Sequence, residues 1–145
     1  MSKRVIELFA IDVLIAMDKI ARYHSEHTDA QSFYHDEKSF DATMRELQII
    51  GEATKHLIAS EKLTKEYRII VDFRNLIVHE YFGIDADEIW DILHHELPTF
   101  DTTILELLNK FDTQMLLEII KDTKEDNRGD TALFLDGLYQ QVKCL

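Results

Sequence analysis

Apolar residues recur at three- and four-residue spacing along most of this chain, the signature of helices that bury one face. Over residues 4–24, Val5, Leu8, Phe9, Val13, Ala16, Ile20 and Tyr23 keep that step, with Asp12 as the one polar exception. Ile6, Ile11, Leu14 and Ile15 fill further faces. A helix apolar on so many sides belongs at the centre of a bundle or against a second subunit, and we read this one as core and dimer interface together. A second seam runs over 39–60 through Phe40, Met44, Leu47, Ile50, Thr54, Leu57 and Ile58. Gly51 interrupts it. A mid-helix glycine costs about 1 kcal/mol against alanine, which points to close approach by another helix or a ligand beside Glu52. The intervening residues 24–38 read as a solvated polar connection, tacked down by Phe33 and Tyr34.

Thr64 is placed to cap a third helix over 65–82, with Tyr67, Ile70, Val71 and Val78 inward. Asp85 caps a fourth over 86–96, with Glu88 as its box partner and Ile89, Trp90, Ile92 and Leu93 facing the core. His94 and His95 fall late in it, solvated or capping. Pro98 breaks this helix and opens a fifth over 98–110, which buries Phe100, Ile104, Leu107, Leu108 and Phe111. A further helix is expected over 112–121, a polar linker over 121–131, and a short last helix over 132–143. The pattern predicts an all-α fold: an antiparallel bundle of about five helices over 1–110. A helical extension over 111–145 packs on the same domain or on a partner.

Composition narrows this. A chain of 145 residues is long enough for one domain with a real core. Only four glycines and one proline leave few tight turns, which favours long helices over sheet. Cys144 is the single cysteine, so no internal disulfide can form, and a reducing cytoplasm fits. Glu7, Asp12 and Asp18 follow Lys3 and Arg4 too closely for a secretory signal. No apolar run approaches the about 18 residues of a membrane span. The net charge of −12 opposes a general nucleic-acid-binding surface and suits docking to a basic protein partner. It leaves room for a nuclease with a small cationic site.

The segment that packing does not explain is Phe73-Arg74-Asn75-Leu76-Ile77-Val78-His79-Glu80-Tyr81-Phe82-Gly83. It gathers Arg, Asn, His and Tyr in apolar surroundings, where unpaired charges are costly. The plain structural account is a helix end at which Arg74 makes an ion pair and His79 caps a carbonyl. Asn75 and His79, four apart, share a helix face. Arg74 and His79, five apart, are aimed roughly 140° from one another. They serve one site if the helix bends or ends between them, or if a second copy of the chain completes it. A helix C-terminus favours protonated histidine, raising its pKa toward working pH for acid–base chemistry. His24-x2-His27 with His35, Asp36 and Glu37 is not a strong zinc spacing and lacks a cysteine pair, so no metal and no cofactor is expected.

Arg74-x4-His79-x-Tyr81, with Asn75 after the arginine, resembles the motif of the HEPN superfamily. The tyrosine two residues past the histidine resembles the HepT toxins of HepT/MntA toxin–antitoxin pairs. Arg45-Glu46-Leu47-Gln48-Ile49-Ile50-Gly51-Glu52-Ala53, then Tyr81-Phe82-Gly83-Ile84-Asp85, Trp90 and Leu97-Pro98 follow in the family's order, so the resemblance spans roughly residues 4–110. It implies a metal-independent endoribonuclease acting on RNA as a homodimer, with tRNA and mRNA as the candidate substrates to test. Arg74, His79 and Asn75 would be catalytic. Its partner would be an MntA-like nucleotidyltransferase antitoxin that transfers AMP to Tyr81; as a structural residue, Tyr81 would instead be a core tyrosine with its hydroxyl at the rim. A reading from a different class is a non-catalytic HEPN-like subunit that binds a nucleotidyltransferase. A plain helical dimer leaves Arg74, Asn75 and His79 unexplained.

Overall fold

The computed structural model describes residues 5–79 and 85–145, and for residues 74–79 it describes the backbone only. The described residues form helices throughout, with no strand among them: α1 (Ile6–His24), α2 (Ala30–His35), α3 (Glu37–Ala59), α4 (Arg68–His79), α5 (Ala86–Asp91), α6 (Leu97–Leu108), α7 (Thr113–Glu125) and α8 (Gly129–Lys143). A 3-10 turn, Lys65–Tyr67, leads into α4, and a π-turn, Ile92–Glu96, joins α5 to α6. The all-α bundle expected from the spacing is the fold observed.

α1 is the central element. It buries Ala10, Ile11, Val13, Leu14, Ile15, Ala16, Met17 and Ile20, a set that wraps most of the helix. α3 lies along it, and α6, α7 and α8 close other sides. α4 packs chiefly on α3 and so occupies a flank of the bundle. The C-terminal helices share the same core: Leu116, Ile120, Leu135, Leu138 and Val142 pack with the α1 and α3 residues.

Several local expectations are corrected. The connection over 24–38 contains a helix. Asp29 caps it by accepting from the Ser32 backbone N–H at 2.7 Å, and Asp36 ends it and caps α3 through the Ser39 N–H. Phe33 is buried there against Phe40 and Trp90. The Thr64 hydroxyl does not cap; it donates to the Glu66 carboxylate at 2.8 Å. Asp85 does cap, accepting from the N–H groups of Asp87 and Glu88 at 2.9 and 3.3 Å.

Pro98 breaks nothing. Proline lacks an N–H and crowds the carbonyl four residues back, and the backbone accommodates this with a wider turn in which the Leu97 N–H reaches the Ile92 carbonyl. Ordinary helix resumes at once, with Pro98 in its first turn. The polar stretch 121–131 is mostly helix: α7 continues to Glu125, and Gly129, at φ 60°, opens α8.

Candidate functional site

α4 ends at His79, so Arg74, Asn75 and His79 lie on its last turns, on the helix that flanks the bundle. Their side chains, and Tyr81 entirely, lie outside the described residues, as does the inward placement expected of Val78. α4 packs on α3, and Phe73, next to Arg74 in sequence, has described neighbours. On the α3 side, the His56 ring stacks on Phe9 of α1, centroids 4.3 Å apart and nearly parallel, and its Nε2 lies 3.6 Å from the Glu52 carboxylate one turn earlier. On the other side, Phe73 opens a groove of about 410 Å³ with Glu88, Asp91, Ile92, His95 and Glu96. The immediate neighbour of Arg74 in sequence therefore borders three carboxylates.

The histidines read as a weak metal pattern are spent on local structure. His27 bonds the Ser32 hydroxyl through Nδ1 at 2.6 Å and the Asp36 carboxylate through Nε2 at 2.9 Å. Those contacts hold the Asp36 carboxyl below its ordinary value, the His27 hydrogen bond first and Ser39 second. His35 Nδ1 is bonded to the Gln31 carbonyl at 2.8 Å. His24 faces inward, edge-on to Trp90 and 4.9 Å from the His94 ring centroid. Burial, then electrostatic repulsion from His94, pushes its pKa below the ordinary value. His94, expected to be solvated or capping, does cap, its Nδ1 bonded to the Trp90 carbonyl at 2.8 Å. Among the described residues no group of three or more His, Cys, Asp or Glu is placed to hold a metal ion.

A second feature has no counterpart in the local sequence pattern. A cleft of about 420 Å³ opens between α1, the π-turn with the start of α6, and Phe134 of α8. Its walls are apolar, and Asp18, Asp101, His24 and His94 also line it.

Comparison with known proteins decides what the motif segment belongs to. The ribonuclease HepT-like family model matches residues 13–107, a span that includes Arg74 through Tyr81. This chain belongs to the ribonuclease HepT-like family. It is 30% identical over 134 residues to a Methanocaldococcus jannaschii protein named "Putative RNase MJ0127", covering 89% of this chain and 98% of the relative. A second protein of that organism, "Putative RNase MJ1380", is 31% identical over 101 residues, 68% of this chain and 92% of the relative. "Probable ribonuclease HepT" of Thermococcus cleftensis is 32% identical over 72 residues, 48% of this chain and 66% of the relative. No solved structure matches. No helix among the described residues of this HepT-like chain is long and apolar enough to cross a membrane.

Proposed function

We propose that this chain is a ribonuclease toxin of a cytoplasmic toxin–antitoxin pair, cleaving RNA without a metal at a site composed by two copies of the chain. The observation that supports this reading is the set Arg74, Asn75 and His79 on the last turns of α4, with Tyr81 two residues further in sequence, inside the segment matched to the HepT-like family. The reaction is attack of a ribose 2′-hydroxyl on the adjacent phosphorus with expulsion of the 5′-oxygen. His79 moves the proton as general base or acid. Arg74 neutralises the charge that grows on the phosphoryl oxygens, a task suited to a bidentate guanidinium. Asn75, on the His79 face, orients the imidazole or bonds the phosphate. A single straight helix aims Arg74 and His79 apart, and a homodimer resolves this by lining one cleft with residues of both copies.

Silencing follows from the same segment. An MntA-like nucleotidyltransferase transfers AMP from ATP to Tyr81: the phenolic oxygen attacks the α-phosphorus, pyrophosphate leaves, and the phenol proton is lost. The attached nucleotide, two residues from His79, fills the cleft and sets its phosphate against Arg74, excluding RNA.

The test is cleavage of tRNA and mRNA in EDTA by wild type beside His79→Ala, both expressed without nucleotidyltransferase and checked by intact mass. Cutting by wild type alone supports the reading; cutting by neither, from unmodified dimer, defeats it. Tyr81→Phe should cut and escape silencing. Silencing of Tyr81→Phe with no residue modified would replace AMP transfer with plain occlusion.

A second reading is favoured by one observation, the Glu88, Asp91 and Glu96 carboxylates around the groove beside Phe73. They suit a basic protein surface better than a phosphate backbone. On that reading the chain is a non-catalytic subunit that holds a nucleotidyltransferase. Partner binding with no cleavage would select it.

A further inference from the structure

Asp101, in the second turn of α6, is a half-buried carboxylate that lines the cleft under Phe134 and has no hydrogen bond or ion pair among the described residues. Its neighbour Asp18, on the opposite wall, already has a cation. The Arg22 guanidinium is held by Asp18 at 3.1 Å and extends on to α8. Asp101 is left with desolvation and with repulsion from Asp18, and both push its pKa above the ordinary value, desolvation the more. Its oxygens still reach solvent at the mouth of the cleft, so the cleft carries a negative charge that complements a cation more than a neutral ligand.

The rest of the cleft defines the body to which that charge is attached. Leu14 and Met17 of α1, Leu93 and Leu97 beside the π-turn, and Phe134 of α8 supply the apolar walls of this open cleft of about 420 Å³. That is a size and lining typical of small-molecule sites, which combine apolar walls with a few convergent polar groups. At one end the His24 and His94 rings, with Trp90 beside them, supply aromatic faces. Burial, then the nearby His94, lowers the His24 pKa, which favours its uncharged ring at this end. π-turns of the kind that forms this wall are found frequently at functional sites.

We propose that this cleft is a binding site for a small organic ammonium with an apolar, aryl-containing body, its nitrogen paired with Asp101 and its ring between Phe134 and the His24–His94 end. The site is separate from the Arg74–His79 segment and does not depend on the ribonuclease reading.

The probes are 2-phenylethylammonium and its neutral isostere 2-phenylethanol, titrated into the full-length ¹⁵N-labelled protein to about 10 mM, the range in which fragments of this size bind. The expected result is that amide shifts for the ammonium map to Leu93–Asp101 and Phe134. It should bind about tenfold tighter than the alcohol, as a charge-assisted bond implies. Asp101→Asn should remove that preference while leaving the amide spectrum otherwise unchanged and alcohol binding intact. Phe134→Ala should weaken both probes. Equal affinity for the two probes overturns the proposal, as do shifts mapping elsewhere, no shifts at all, or a preference that survives in Asp101→Asn. If Asp101→Asn does not fold, Asp101→Glu, which keeps the charge, and the probe comparison on wild type still decide it.

Discussion

The Arg22 guanidinium on α1 donates to the buried Thr131 hydroxyl on α8 at 3.2 Å, while the same group is held by Asp18 at 3.1 Å. This bond ties the C-terminal helical pair to the central helix through a polar contact at the edge of a shared apolar core. The Asp130 carboxylate, 3.6 Å from the guanidinium but largely exposed, adds little. Arg22→Met keeps the aliphatic stem and loses the bond, so it should destabilise the protein by about 1 kcal/mol. Thr131→Val should cost a similar amount. Denaturant unfolding of both single variants and the double should show the double losing clearly less than the sum of the two. Full additivity would mean the pair does not couple.

Glu61 is the one non-glycine residue with positive φ among those described, at 64°. It ends α3 in a Schellman turn, where its N–H bonds the Ile58 carbonyl and the Lys62 N–H bonds the Leu57 carbonyl at 2.9 Å. A side chain in this left-handed conformation costs roughly 1–2 kcal/mol, part of which glycine's freedom in the unfolded chain returns. Glu61→Gly should therefore stabilise by about 0.5–1 kcal/mol, read as a raised Tm with an unchanged denaturant m-value. A lowered Tm would show that the Glu61 carboxylate contributes more than the turn costs.

Glu46, 6% exposed on α3, is the most buried carboxylate among the described residues. Burial pushes its pKa above the ordinary 4.5, and the charges of Lys19 and Arg45 only partly offset this. The folded protein thus holds the proton more tightly than the unfolded chain. The stabilisation from the protonated form is fully present below the ordinary carboxylate range and is lost as pH rises through the raised value. At pH 7 the buried charge is a cost. Glu46→Gln should raise stability at pH 7 by about 1 kcal/mol, and the gain should vanish by pH 4. Thermal melts of both proteins across that range check it; a gain independent of pH would assign the effect to packing instead.

Helices and their order were legible because burial here is periodic. Ile11, Leu14 and Ile15 beside Val13 and Ala16 marked α1 as apolar on most sides, and it is the central helix. α2 escaped because six residues with one deep anchor, Phe33, carry too little periodicity, and because Asp36 ends one helix while capping the next. The π-turn escaped because Ile92, Leu93 and Leu97 fit an ordinary helix as well as a wide one; Pro98 is the clue, but a proline that ends one helix and opens the next looks the same in sequence as one that a wider turn accommodates. At the candidate site, the order Arg74, Asn75, His79, Tyr81 was legible as a string of residue types. The acidic groove beside it was not, since it depends on how Phe73 of α4 meets residues 88–96. Nor was the Asp18–Asp101 cleft, whose halves lie on α1 and α6 and share no local pattern.

That acidic groove yields the prediction that bears most directly on function. Glu88, Asp91 and Glu96 lie with Phe73 around it, one residue from Arg74 in sequence. RNA approaching the motif must bring phosphates toward these carboxylates, and association between like charges is slowed most at low salt. The triple variant Glu88→Gln, Asp91→Asn, Glu96→Gln removes three negative charges without removing any residue proposed to act on RNA. If the chain cleaves RNA, its kcat/KM should rise by roughly three- to tenfold at low ionic strength. The gain should fall toward unity by about 0.5 M salt, and it should lie in KM rather than kcat. If the groove instead receives a basic nucleotidyltransferase, the same variant should weaken that complex, most strongly at low salt, with RNA cleavage unaltered. Cleavage and partner binding measured on one preparation therefore assign the groove: faster cleavage makes it a barrier at the mouth of a nuclease site, and a weakened complex with unaltered cleavage makes it a docking surface.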